Sequence, residues 1–101
     1  MDRSARSFHA DIDDGNETTI VSVPDGQTFF ITDIQAASGD GLFMQLTVKA
    51  ASTTLCVLMD AVSLERIVHC RSPLSGAPGE DIKVTPGGVQ PYHVTISGYF
   101  E

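Results

Sequence analysis

Leu42, Met44, Leu46 and Val48 alternate with Phe43, Gln45, Thr47 and Lys49, and no other stretch limits the fold of this chain so tightly. Successive side chains of a strand point to opposite faces, so the run reads as a strand with one oily face. A helix would need apolar residues three and four apart, and the run has no consistent stripe of that kind. Tyr92, Val94, Ile96, Gly98 and Phe100 alternate with His93, Thr95, Ser97, Tyr99 and Glu101 in the same way. Upstream, Phe29-Phe30-Ile31-Thr32-Asp33-Ile34 is rich in strand formers but less regular, because its first three residues are all apolar. Both faces are expected to be covered there, one by the core and one by a neighbouring chain. Ser38-Gly39-Asp40-Gly41 offers two glycines for positive φ angles, so Thr28 to Lys49 is expected to form two strands joined by a tight hairpin turn.

The rest of the chain repeats this rhythm. Phe8, Ala10 and Ile12 suggest a short first strand after a flexible arm at residues 1–7. Thr18 to Val23 is rich in β-branched residues and forms a second strand. Pro24-Asp25-Gly26-Gln27 is a turn in which Gly takes the strained angle. Thr54 to Met59 is almost wholly apolar, as a strand covered on both faces would be. A strand is expected from about Arg66 to Cys70, with a turn of helix as the alternative around Val62–Glu65. Arg71 to Glu80 is expected to be a loop with Leu74 tucked inward, followed by a short strand from Asp81 to Thr85. Seven or eight strands with turn signals between them are the mark of an all-β sandwich or small barrel, and an antiparallel β-sandwich is expected. The absence of strand–helix alternation excludes a parallel α/β sheet.

Length and charge bound the function. A chain of 101 residues holds one domain, 1–101, with one core and no second lobe. Its formal charge of −7, with only Arg3 and Arg6 close together among the basic residues, argues against nucleic acid and anionic membranes as partners. Residues 1–20 carry no secretory signal, and no apolar run spans a bilayer, so the chain is expected in the cytoplasm as synthesised or in a virion. Cys56 and Cys70 are expected to be two thiols, close but unbonded if their strands are neighbours.

Sites of chemistry are sparse. Asp11-Ile12-Asp13-Asp14-Gly15-Asn16-Glu17 has oxygen ligands at alternate positions but lacks calcium-loop spacing, and reads as a solvated acidic turn. His9, His69 and His93 are scattered; each is expected on a strand with no second ligand two or four residues away, at the surface or an interface. In a trimer, a three-fold axis passing one of them would gather three copies. There is no G-x-S-x-G elbow, and Cys56 sits in an apolar run where a thiol is expected to be inert. Asp33 and Asp60 are the carboxylates most embedded in strands, with Asp33 expected to hydrogen-bond backbone or a nearby turn. Gly39/Gly41 and Gly87-Gly88 precede no helix and are turns. No catalytic, cofactor-binding or metal residue is assigned, and the chain is not expected to be an enzyme.

Two segments together carry a family likeness: Val23-Pro24-Asp25-Gly26-Gln27-Thr28 with its apolar run to Thr32-Asp33-Ile34, and the ending Val94-Thr95-Ile96-Ser97-Gly98-Tyr99-Phe100. Ser72-Pro73-Leu74 and Gly79-Glu80-Asp81-Ile82-Lys83-Val84 fit the same layout. The pattern resembles small jelly-roll domains of phage virion proteins and bacterial surface proteins. The resemblance implies a jelly-roll-like sandwich, assembly as a homotrimer, and a structural role such as capsid decoration on a larger protein shell. Docking is expected through residues 1–12 and 71–80. The alternative is a carbohydrate- or receptor-binding module using Tyr92, Tyr99 and Phe43 as exposed aromatics to hold a glycan.

Overall fold

The computed structural model describes residues 4–38, 44–60, 65–87 and 91–101. Eight strands run in order: β1 (Arg6–Ile12), β2 (Thr18–Val21), β3 (Phe29–Ser38), β4 (Met44–Ala50), β5 (Thr53–Asp60), β6 (Glu65–Leu74), β7 (Ile82–Pro86) and β8 (Tyr92–Phe100). They form two four-stranded sheets, ordered β1-β8-β3-β6 and β2-β7-β4-β5, with every neighbour antiparallel. The pairs β4·β5, β3·β6, β2·β7 and β1·β8 are the rungs of one long hairpin whose tip is Ala51-Ser52. Rolling that hairpin brings β8 against β3 and β7 against β4, which makes the all-β sandwich a jelly roll.

The expected hairpin within Thr28–Lys49 is not formed. β3 and β4 lie in different sheets, so the chain crosses the sandwich between them; Gly39 to Phe43 fall outside the described residues. Glycine-rich connections serve sheet-crossing corners as well as hairpins, so those residues could not distinguish the two. The hairpin that does form joins β4 to β5 without a glycine, and Ala51 there adopts φ 51°. β1 begins at Arg6, within the expected arm. β6 continues to Leu74, so residues 71–74 extend a strand and do not begin a loop, while Leu74 does pack on the core. Of the helical turn weighed for Val62–Glu65, residues 62–64 lie outside the described set and Glu65 begins β6.

The core is built from the alternating rows. Leu46, Val48 and Ala50 on β4, and Tyr92, Val94 and Ile96 on β8, are buried as the period-2 pattern requires. β3 explains its own irregularity. Phe29 and Ile31 point inward, then Ile34, Ala36 and Ser38 do, and the change of phase falls at a bulge around Thr32. Phe30 is thereby turned outward, where it stacks on Tyr99 with centroids 5.3 Å apart. A ring of the same chain, across the sheet, thus flanks the residue expected to need a neighbouring molecule. A second bulge between Thr19 and Val21 lets Ile20 and Val21 both face the core. β5 departs from expectation: Leu58 is buried, but Val57 is 49% exposed, so this edge strand is covered on one face only.

Two glycines are demanded by geometry for different reasons. Gly26 sits at φ +80° in the turn closed by Gln27 N donating to the Pro24 carbonyl, 3.1 Å, with open space where a Cβ would stand. At Gly98, an added Cβ would lie 1.9 Å from the Phe30 carbonyl oxygen and 3.0 Å from Phe29 Cζ. Gly98→Ala should therefore cost about 3 kcal/mol or more, since backbone of the central strand must move. Gly26→Ala should cost only about 1–2 kcal/mol, the strain of a left-handed alanine. Urea unfolding of both variants checks the order, and the reverse order would contradict the β3·β8 packing.

Candidate functional site

The outer face of the β1-β8-β3-β6 sheet gathers all three histidines of the chain. Alternation along β1 puts Ser7, His9 and Asp11 on that face, and antiparallel pairing sets them opposite Ser97, Thr95 and His93 of β8. Next in register on β3 stand Asp33, Gln35 and Ala37, and beyond them His69 and Ile67 of β6. Directly opposed partners are close enough to touch, and they do. Ser7 Oγ and Ser97 Oγ are 2.8 Å apart, and His9 Nδ1 is 2.9 Å from Thr95 Oγ1. Asp11 Oδ1 lies 2.7 Å from His9 Nε2 and 2.6 Å from His93 Nδ1. The two imidazoles are nearly parallel, 11° between planes with centroids 6.5 Å apart. Asp33 makes the companion pair further along the face, with His69 Nδ1 at one carboxylate oxygen and the Thr32 hydroxyl donating to the other at 2.9 Å.

His9, Asp11 and His93 are the convergent set among the described residues, with their ligating atoms all within 4.8 Å of one another. Asp11, two residues from His9 and on the same face, is the second ligand that the reading of scattered histidines passed over. His93 is 82 residues distant and meets it only because the first and last strands pair. The pattern His-x-Asp in β1 against His-x-Thr in β8 was the available signal, but it is legible only once β1·β8 pairing is assumed.

The acidic turn does not gather its oxygens. Asp11 turns to the histidines, Asp14 accepts from Asn16 N at 3.0 Å, and Glu17 binds Lys49 Nζ at 3.1 Å and the Thr85 hydroxyl at 3.0 Å. Among the described residues the Asp33 carboxylate bonds the Thr32 and His69 side chains, where backbone or a nearby turn was expected. The Asp60 side chain, Phe43 and Gly88 lie outside what the structure describes. Tyr92 is 1% exposed, with its hydroxyl 3.4 Å from Gln45 N as acceptor, so it presents no aromatic surface to a glycan. Tyr99 is half-buried against Phe30.

The two flanks of the sandwich differ. Between β1 and β2 a cleft of about 480 Å³ is lined by Arg6, Phe8, Ser22, Pro24, Gln27, Phe100 and Glu101. Phe8, Phe29 and Phe100 pack edge to face beneath it, and the Arg6 guanidinium sits 5.7 Å above the Phe100 ring. On the other flank the edge strands β5 and β6 carry the free thiols Cys56 and Cys70, both half-buried. Burial pushes the Cys70 thiol up, with lesser contributions from Cys56 and Asp33. Val57 and the 53%-exposed Ile67 stand on the outer faces of the same two strands.

The carboxylates of these pairs hold a proton less readily than usual. Asp11 is lowered by hydrogen bonds from His93 and then His9, Asp33 by His69 and then Thr32, and Glu17 by Lys49 and then Thr85. A carboxyl lowered on folding leaves the unfolded chain holding more protons as the solution becomes acidic, so stability rises with pH there and is lost as pH falls through the lowered values. Stability should therefore hold down to the ordinary carboxylate range, about pH 4, and fall below it. Asp11→Asn and Asp33→Asn should each flatten that acid limb in thermal melts from pH 2 to 6. Because the groups are exposed, the effect should shrink in high salt.

No family model and no curated protein matches the chain. Solved structures of the same fold do. The nucleoplasmin-like N-terminal domain of Drosophila FKBP39 is 14% identical over 94% of this chain and 89% of its own, with a TM-score of 0.57. The Drosophila NLP core, described in terms of pentamer formation and histone binding, is 13% identical over 95% of this chain and 97% of its own, TM-score 0.56. The insecticidal delta-endotoxin Cry8Ea1 of Bacillus thuringiensis is 13% identical over 87% of this chain and 18% of its own, TM-score 0.51. At such identities the likeness establishes a shared β-sandwich architecture.

Proposed function

We propose that this chain is a non-enzymatic structural protein whose jelly roll assembles with copies of itself. The observation that carries the reading is the β5–β6 flank. Two edge strands lie there with no further strand beside either among the described residues, and their outer faces expose Val57 and Ile67. Leu55, Cys56, Val68, Cys70 and Leu74 bring the core partway to the surface alongside them. Neither strand contains a lysine, the residue that most often keeps an edge from pairing, and β6 has Pro73 alone as a breaker. A second copy covers such a flank, and closed rings are the usual result of repeating one contact. The resemblance to virion jelly rolls favours three copies and a place on a larger shell as capsid decoration or a virion-surface protein. The Drosophila NLP core, of the same fold, is described as forming a pentamer. A binding-module reading keeps one support, the Arg6–Phe100 cleft, since Tyr92 is withdrawn into the core.

Light-scattering mass measurement at high micromolar protein should give a defined multiple of the chain mass. The double variant Val57→Asp/Ile67→Asp should sediment as a folded monomer, because both side chains already face outward. A monomeric wild type would refute the reading.

A further inference from the structure

We propose that His9, Asp11 and His93 form a site for one divalent transition-metal ion of the zinc class. The site is contained within one copy of the chain. It therefore does not depend on self-association.

Two imidazoles and one carboxylate converge from adjacent paired strands, so the backbone brings their Cα atoms together before any ion arrives. His9 and Asp11 share a strand face as residues i and i+2, and His93 is the direct cross-strand partner of Asp11. The three ligating atoms are Nε2 of His9, a carboxylate oxygen of Asp11 and Nδ1 of His93. The two contacts to Asp11, 2.7 and 2.6 Å, open by a fraction of an ångström and the two nitrogens, within 4.8 Å of each other, adjust about the ion to make bonds of about 2.0–2.2 Å. The other nitrogen of His9 is held by the Thr95 hydroxyl at 2.9 Å. With Nδ1 protonated and donating to that hydroxyl, Nε2 presents its lone pair to the ion, the outer-sphere arrangement that orients metal-bound histidines.

The ligand set selects the ion. Calcium and magnesium favour all-oxygen surroundings, whereas imidazole suits zinc, copper, nickel and iron. Three protein ligands leave at least one coordination position open. All three residues are exposed, so water or a donor from a second molecule completes the shell. The surplus of acidic residues adds a favourable field for a cation.

Titration calorimetry of the full chain with zinc chloride, at neutral pH under reducing conditions, tests the site. One ion should bind per chain with a micromolar dissociation constant, and magnesium at a hundredfold excess should not compete. Asp11→Asn, nearly isosteric, and His93→Ala should each weaken binding tenfold or more. His69→Ala and Cys56→Ser/Cys70→Ser should bind as the wild type does. Cobalt(II) added to the wild type should give visible ligand-field bands without the near-ultraviolet charge-transfer band of a thiolate. Absence of saturable zinc binding would overturn the proposal, as would undiminished binding by Asp11→Asn and His93→Ala. Loss of binding in the double cysteine variant would overturn it too.

Discussion

The contact of β8 with β3 is the constraint on which the architecture depends. Both strands lie in the interior of their sheet, and each supplies an inward row to the core. They can approach only because residue 98 has no side chain beneath the Phe30 carbonyl. Closing that seam converts an extended double strand into a two-layered body. It also sets the bulge at Thr32, which shifts β3 by one residue so that Phe29 and Ile31 before it, and Ile34 and Ala36 after it, all reach the same interior. Without the phase change, one of these two groups would face water.

The same rolling decides where chemistry can gather. A jelly roll pairs the beginning of its chain with the end, so side chains from β1 and β8 become direct neighbours. The outward-facing rows of those strands carry His9, Asp11, His93 and Thr95, linked to one another by hydrogen bonds. The opposite sheet devotes its outer face to a different pairing, with Glu17 joining Lys49 and Thr85. Burial is well resolved throughout, since no buried side-chain polar atom among the described residues lacks a hydrogen-bond partner. His9, Asp11 and His93 are all exposed.

Much of this was legible from period-2 patterning. The inward rows of β4 and β8 follow directly from alternation, and the turn at Pro24–Gln27 follows from glycine's freedom at position 26. Pairing partners were not legible. A strand's sequence says which face is oily but not which strand lies beside it, and so the pattern fits a β3–β4 hairpin although the two strands belong to opposite sheets. The bulge at Thr32 was visible only as noise, three apolar residues in a row, because one inserted residue mimics a strand covered on both sides. Tyr92 carries two conflicting signals: its alternation marks it as inward, while the binding-module alternative needs its ring exposed, and it is buried. Within the His–Asp group, His9 and Asp11 share a strand face two residues apart, and only His93 is hidden by chain distance.

Arg6 lies across from Gly98, and the backbones of Thr28 and Glu101 exchange hydrogen bonds at 2.9 Å. The start of β1 and the end of β8 therefore lie at one pole of the sheet, while the Ala51–Ser52 tip is a separate point of the chain between β4 and β5. A short bridge would suffice to tie the end of β8 to the start of β1, and a cut at that tip would sever no strand. The order in which the chain visits its eight strands is thus separable from the shape they build.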